Sequence, residues 1–270
     1  MLSSNQPSLY HTNRAFCYGD ALFETIHGNG TKLHFFDSHY KRLMKGMEVL
    51  GMNRYNFISK EGLEATLVKL LKKNKLYKGV RIRLSVFRNQ GGLYAPADNS
   101  VSYLAEAMPL PADNFLLNEK GLKTGIFKEL KKQADILSNL KTANSLLYIR
   151  AGMFARASGL DESIILNNRG NLAETTSSNI FLVKKGALST PSLDEGCVAG
   201  VMRDQIISIA LHEGIECVET EVTRDDLIQA EECFLTNAVS GIRWVVAFEQ
   251  RRYYSKTAKF LTGLLNAIVS

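Results

Sequence analysis

The chain has little of what would tie it to a metal, a membrane or an oxidising compartment. Its four cysteines, Cys17, Cys197, Cys217 and Cys233, are far apart and form no C-x-x-C pair. That argues against a disulfide framework or a zinc knuckle and makes reduced, mostly buried thiols the expectation. The five histidines include no pair at i, i+4, so no metal site is expected. No run approaches the roughly 18 apolar residues that span a bilayer. The opening "MLSSNQPSLYHTN" lacks the basic and apolar regions of a secretion signal. A cytoplasmic protein without membrane contact is expected. Prolines number only five, and two of them fall in "PLPADN", Pro109 to Asn114, the best candidate for a linker.

The 270 residues are 45% apolar and 22% charged, an ordinary globular balance with enough chain for one large domain or two modest ones. Net charge is +6. The densest basic clusters, "KLLKKNKLYK" and "KELKKQ", interleave no aromatics as a strand-binding groove would. The first lies on an amphipathic pattern and reads as a solvated helix face. Nucleic acid is not expected; a diffuse positive field suits small anionic molecules.

"DALFETIHGNGTKLHFF" predicts two strands and a tight turn around Gly28-Asn29-Gly30. "DSHYKRLMKGMEVLG" predicts a helix capped by Asp37 or Ser38, with Tyr40, Leu43, Met44, Met47 and Leu50 on one face. A second helix is expected over about 60–75, then strands "VRIRLSVFR" and "SVSYLAEAM" flanking the loop "NQGGLYAPADN". Beyond the linker come a strand near 122–127, a helix over about 139–158, hairpins in "ESIILNNRGNLAET" and "SNIFLVKKGALST", and a helix in "MRDQIISIALHEG". Strands in "ECFLTNAVSGIRWVVAF" and a helix from Ser255 close the chain. Strands paired as hairpins, with helices not strictly alternating, predict an α+β fold. The expected division is a smaller N-terminal domain (1–108), a linker (109–120) and a larger C-terminal domain (121–270).

Three segments could carry chemistry. Lys141 in "LSNLKTANSLLYI" is followed by Ala143, Leu146, Leu147 and Ile149. A desolvated amine there would be nucleophilic; a lysine that reaches water from a helix start is the alternative. In "AGVMRDQIISIA" a glycine introduces a helix, whose first N–H groups can bind a phosphate, although a glycine before a helix is common. In "NLAETTSSNIF", Glu174 sits in a strand that otherwise reads as core. A carboxylate there needs a partner or a solvent-facing side.

Taken in order, Lys141, Glu174, Gly200-Val201-Met202 and "FLTNA" resemble the class IV aminotransferase family, the fold-type-IV enzymes of pyridoxal phosphate. "NRAFCYGDALFETI", "HYKRL" and "VRIRLSVFRNQGGLYAP" resemble the family's earlier segments, so the likeness runs over about residues 13–250. It implies a two-domain enzyme with pyridoxal 5'-phosphate as cofactor and a small amino-acid-like substrate, working as a homodimer. Lys141 would join the cofactor's aldehyde and shuttle the substrate's α-proton. Glu174 would keep the pyridine nitrogen protonated. Arg42 would grip the phosphate, completed by the N–H groups of Val201 and Met202 and by Thr236, Asn237 and Ala238. Tyr18, Phe23, Arg83 and Arg88 match positions on the substrate side, though strand arginines facing solvent fit the pattern as well. His39 is taken as structural.

The family includes branched-chain and D-amino acid aminotransferases and 4-amino-4-deoxychorismate lyases, the last releasing pyruvate and 4-aminobenzoate, a folate precursor. Met202 stands where the transaminases commonly have threonine, "TNAV" where branched-chain enzymes show Gly-Thr-Ala, and "KTAN" lacks the tyrosine that follows their lysine. These departures favour the lyase. Tyr18 resembles the branched-chain group, and Phe23 departs from the tyrosine of the D-amino acid group. The family's leading strand is poorly represented in "MLSSNQPSLY". A fold relative without chemistry remains the alternative from another class.

Overall fold

The computed structural model describes residues 9–270; the first eight residues, most of the stretch that poorly represents the leading strand, lie outside the described residues. The chain divides into two units. The first runs to Asp113 and includes Leu140–Asn144; the second holds Asn114–Asn139 and Ser145–Ser270. The expected C-terminal domain therefore gives up five residues, Lys141 among them.

The first unit contains α1 (Arg14–Tyr18), β1 (Ala21–Asn29), β2 (Lys32–Leu33), α2 (Phe36–Val49), α3 (Lys60–Lys73), β3 (Gly79–Arg88) and β4 (Val101–Pro109). The strands form an antiparallel sheet in the order β2-β1-β3-β4. Alternation along β3 buries Val80, Ile82, Leu84 and Val86, which join Leu43 and Met47 of α2 and Leu63, Leu67 and Leu71 of α3 in one core. In β1 the same face carries Leu22, Glu24 and Ile26, opposite Val86, Leu84 and Ile82. Phe23, Thr25 and His27 alternate onto the other face. Helix α2 is capped two residues before Asp37, the nearer of the expected caps, by Phe35 in the left-handed region (φ 55°) with no side-chain cap hydrogen bond. The short α1, capped by Asn13, gave no sequence signal long enough to register.

The second unit contains β5 (Leu122–Lys132), α4 (Leu146–Ala157), β6 (Glu162–Asn167), β7 (Leu172–Thr175), β8 (Asn179–Lys184), β9 (Ala187–Pro191), α5 (Val201–His212), β10 (Cys217–Thr220), α6 (Arg224–Gln229), β11 (Glu232–Asn237), β12 (Gly241–Phe248), β13 (Arg251–Arg252) and α7 (Lys256–Val269). Its sheet runs β10-β9-β8-β11-β12-β5-β6-β7, with β13 on β12. The β5–β6, β5–β12 and β9–β10 pairs are parallel and the rest antiparallel. β7 ends the path and β8 lies near its other end, yet only three residues join them, so the sheet curls back on itself. Its apolar core includes Ile126, Ile164, Leu172, Ile180, Leu235 and Val245. Helix α4 packs Ala151 against Phe127 and Ile165, and α5 and α7 pack against each other and on β11. Both units mix hairpins with helices laid against them: the fold is α+β.

Helix α4 begins at Leu146, not near Asn139 as the sequence predicts. The backbone of Lys141–Ala143 is engaged elsewhere: Lys141 accepts from the Phe23 N–H (2.9 Å), and the Ala143 N–H donates to the Ala21 carbonyl (2.9 Å). Thr142 bridges Leu22. A residue paired to a strand cannot also sit in a helix. Of the cysteines only Cys197 and Cys233 are buried; Cys17 is exposed and Cys217 half-buried. No helix among the described residues is long and apolar enough to cross a membrane.

Candidate active site

In the first unit, pairing to β1 sets the half-buried Lys141 beside Phe23. Its Nζ lies 4.4 Å from the centre of the Phe23 ring, and the Arg83 guanidinium lies 4.0 Å from the same ring. Two cations thus share one aromatic ring, a favourable contact for each. Register explains the grouping. Thr25 pairs with Arg83 and Phe23 with Ser85, so all four share the sheet face away from α2 and α3. Partial burial lowers the Arg83 pKa, against the pull of Glu106 directly across on β4.

On the opposite face of β1, Glu24 is buried among apolar side chains and needs compensation. His39 and Arg42, three residues apart on one face of α2, supply it. Arg42 grips the carboxylate as a fork, Nε to Oε1 at 2.8 Å and a terminal nitrogen to Oε2 at 2.5 Å, and His39 Nδ1 meets Oε2 at 2.7 Å. Burial alone would raise the Glu24 pKa, but the charge of Arg42 and the hydrogen bonds of His39 and Arg42 bring it down to about 2. Burial lowers the His39 pKa despite Glu24, and Lys141 contributes to that lowering. The sequence reading took His39 as structural and missed Glu24. The available signal was a lone acid on the apolar side of β1, facing an i, i+3 pair of bases.

Tyr18 and Arg88 do not join this group. The Tyr18 ring stacks under Arg14 (4.9 Å) and beside Tyr94 (5.8 Å). Arg88 is buried and fully engaged, by Asp20 (2.9 Å), Asn99 and the carbonyls of Leu50 (2.6 Å) and Gly51 (3.3 Å). These contacts tie β3 to the end of α2.

In the second unit Glu174, on β7, is buried and held on both oxygens. Tyr148 of α4 donates its hydroxyl to Oε1 (2.7 Å), Lys132 at the end of β5 contacts the same oxygen, and the Val198 N–H donates to Oε2 (3.0 Å). Burial and the negative charge of Glu174 push the Tyr148 pKa up, so the hydroxyl remains a donor. The Cys197 thiol, also buried near Glu174, is pushed up to about 12 and stays protonated. Neither Lys132 nor Tyr148 was legible beforehand. Lys132 lies in the basic cluster "KELKKQ", and its burial arises because β5 runs on to Lys132, past the strand near 122–127 that the pattern suggests.

Three residues beyond Val198 the helix α5 begins at Val201. Its cap Gly200 offers no side chain, which leaves the N–H groups of Val201 and Met202 without an intrahelical acceptor. A Cβ at Gly200 would lie 2.0 Å from Asn179 Oδ1, so any side chain here would force Asn179 or the helix start to shift. Asn179 donates to the Val198 carbonyl (2.9 Å) and pairs directly with Thr236 across β8 and β11, putting Thr236 on the same sheet face. Thr236 Oγ1 is buried with no hydrogen-bond partner among the described residues. Asn237 shapes the turn through Ala238: its Oδ1 accepts from the N–H groups of Val239 (3.0 Å) and Ser240 (2.8 Å), and its amide donates to Ser178 (2.9 Å).

These groups fit the cofactor the motifs imply. An orphaned buried hydroxyl, a helix start with open N–H groups and a glycine cradle suit a phosphate, and a buried carboxylate suits a ring nitrogen's proton. Among the described residues no cluster of three or more metal-binding side chains exists.

Comparison with known proteins agrees. The model of the family "Amino-transferase class IV" matches residues 21–248. The chain is 31% identical over 251 residues to the "Putative branched-chain-amino-acid aminotransferase" of Methanocaldococcus jannaschii, covering 92% of this chain and 85% of that one. It is 28% identical to the "Aminodeoxychorismate lyase" of Bacillus subtilis, covering 93% and 85%. A crystal structure titled as a "Putative 4-amino-4-deoxychorismate lyase" from Legionella pneumophila superposes with a TM-score of 0.87 at 27% identity, covering 98% of this chain and 96% of that one. The chain belongs to the class IV aminotransferases, a family of pyridoxal-phosphate enzymes.

Proposed function

We propose that this enzyme is a 4-amino-4-deoxychorismate lyase, which releases pyruvate and leaves 4-aminobenzoate. The observation that carries the reading is the segment after the lysine, Thr142-Ala143-Asn144-Ser145, which lacks the tyrosine of branched-chain aminotransferases. Met202 at the start of α5 and Asn237 in the β11 turn replace their threonine and glycine in the same sense. The likeness to the Bacillus and Legionella proteins, over nearly the whole of each chain, supports it.

When bound, pyridoxal phosphate supplies an aldehyde for the substrate's amino group and a ring that takes up electrons from the adjacent carbon. Lys141 would hold the group through its amine and would move the proton at the substrate's α-carbon. Glu174 would keep the ring nitrogen protonated. In the first unit Arg42, oriented by Glu24, would bind a phosphate; in the second unit the Val201 and Met202 N–H groups and the Thr236 hydroxyl would do so. Arg83, beside Lys141 on Phe23, pairs with a substrate carboxylate.

A branched-chain aminotransferase is the second reading, favoured by the 31% identity to the Methanocaldococcus protein. One assay separates the two. Purified enzyme given 4-amino-4-deoxychorismate is expected to yield 4-aminobenzoate and pyruvate. Glutamate formed from L-leucine and 2-oxoglutarate, with no 4-aminobenzoate, would overturn the lyase.

The reading extends to a homodimer. Along α4, Leu146, Ile149 and Met153 are 78%, 54% and 56% exposed, and their spacing sets them on one helical face. An apolar stripe of this kind on a water-facing helix is the sort of surface a second copy covers.

A further inference from the structure

We propose that Lys132 weakens the hold of Glu174 on the cofactor's ring nitrogen, so that the electron demand of the ring is set by two side chains and not by the carboxylate alone. This rests on the reading of Glu174 as the partner of that nitrogen. A carboxylate offers about four acceptor directions. On Glu174, Oε1 takes the Tyr148 hydroxyl and the Lys132 ammonium, and Oε2 takes the Val198 N–H. The direction that is left, on Oε2, is the one available to a protonated ring nitrogen.

Lys132 is no surface lysine reaching in. It is 7% exposed, set by pairing with Asn167 at the end of β5, with its Nζ 5.4 Å from the Tyr148 ring. Without cofactor it neutralises a carboxylate that is 3% exposed, which would otherwise be a buried uncompensated charge. With cofactor bound, the same carboxylate serves two cations, the ammonium and the protonated ring. Like charges on one carboxylate in a site sheltered from water repel, and each disfavours the other's protonated form. The other ionisable groups around the carboxylate, Tyr148 and Cys197, are both held protonated and neutral. Lys132 is therefore the charge in this cluster that opposes a protonated ring. It is a positioning residue: it acts through Glu174 and need not touch the reacting atoms.

The test compares two ligands, pyridoxal phosphate and its analogue with carbon in place of the ring nitrogen. Both carry the same aldehyde and phosphate, so the link to Lys141 and the phosphate contacts cancel in the ratio of their dissociation constants. Lys132→Met is expected to bind pyridoxal phosphate about tenfold more tightly, the change for about 1.4 kcal/mol, with affinity for the carbon analogue unchanged. Lys132→Arg, which keeps the charge, is expected to retain the wild-type ratio. If Lys132→Met does not fold, Lys132→Gln removes the charge, keeps a hydrogen bond and carries the same expectation. Glu174→Gln is the control for the underlying reading and is expected to abolish the preference between the ligands. If it does so while the neutral Lys132 variants keep the wild-type ratio, the role given to Lys132 is wrong and that of Glu174 stands. If Glu174→Gln leaves the ratio unchanged, both fall.

Discussion

Glu24 and Lys141 occupy opposite kinds of environment one residue from each other's neighbours in the sheet: Lys141 accepts the N–H of Phe23, and Glu24 follows on the buried face. Lys141→Ala is expected to abolish turnover and leave the melting temperature within a few degrees, because the backbone that ties this segment to β1 is untouched; an activity assay beside a thermal melt checks it. Arg42→Ala is expected to weaken cofactor retention about tenfold, the scale of a lost charge-assisted bond, in a titration with pyridoxal phosphate. For Glu24 the effect is on folding. Its folded pKa of about 2 lies below its ordinary 4.5, so its contribution is complete above pH 4.5 and is lost as pH falls from there toward 2. Glu24→Gln is expected to cost a few kcal/mol at neutral pH and to flatten stability over that acid range in denaturant titrations. Residue types and order made Lys141, Glu174 and Arg42 readable in the sequence. Their partners Glu24, Lys132 and Tyr148 were not, because each is defined by a contact across 18 to 42 positions that no local pattern encodes.

Among the elements, the hairpins and most helices follow from periodicity and turn chemistry. β8 and β9, β11 and β12, α5 and α7 lie where alternation and glycine placement put them. The main miss, the start of α4, has a clear cause. "KTANS" has no residue that forbids a helix, and only pairing with β1 keeps it out of one, so tertiary context overrides local propensity. Likewise no local signal showed that Gly200 is pressed against Asn179. Gly200→Ala tests that element directly. With φ of −75° the backbone accepts alanine, but its methyl meets Asn179 Oδ1. The start of α5 is expected to shift, loosening pyridoxal phosphate severalfold and inorganic phosphate in parallel, both readable by calorimetry.

For the whole molecule, the α+β fold was legible from the hairpin order, whereas the grouping of Leu140–Asn144 with the first unit was not. Assembly is the scale on which the α4 stripe acts. On the proposed dimer, light scattering is expected to find the unchanged protein as a dimer and the double variant Leu146→Asp, Ile149→Asp as a monomer, with little loss in thermal stability because both side chains are exposed in the single chain. The return of five residues to the first unit has one more consequence. The polypeptide crosses from unit to unit three times, after Asp113, Asn139 and Asn144. Severing it at the proline-bearing connection would therefore not free two self-sufficient halves: the amino-terminal fragment would keep the sheet but forfeit the amine, and the other would keep the amine with nothing to aim it.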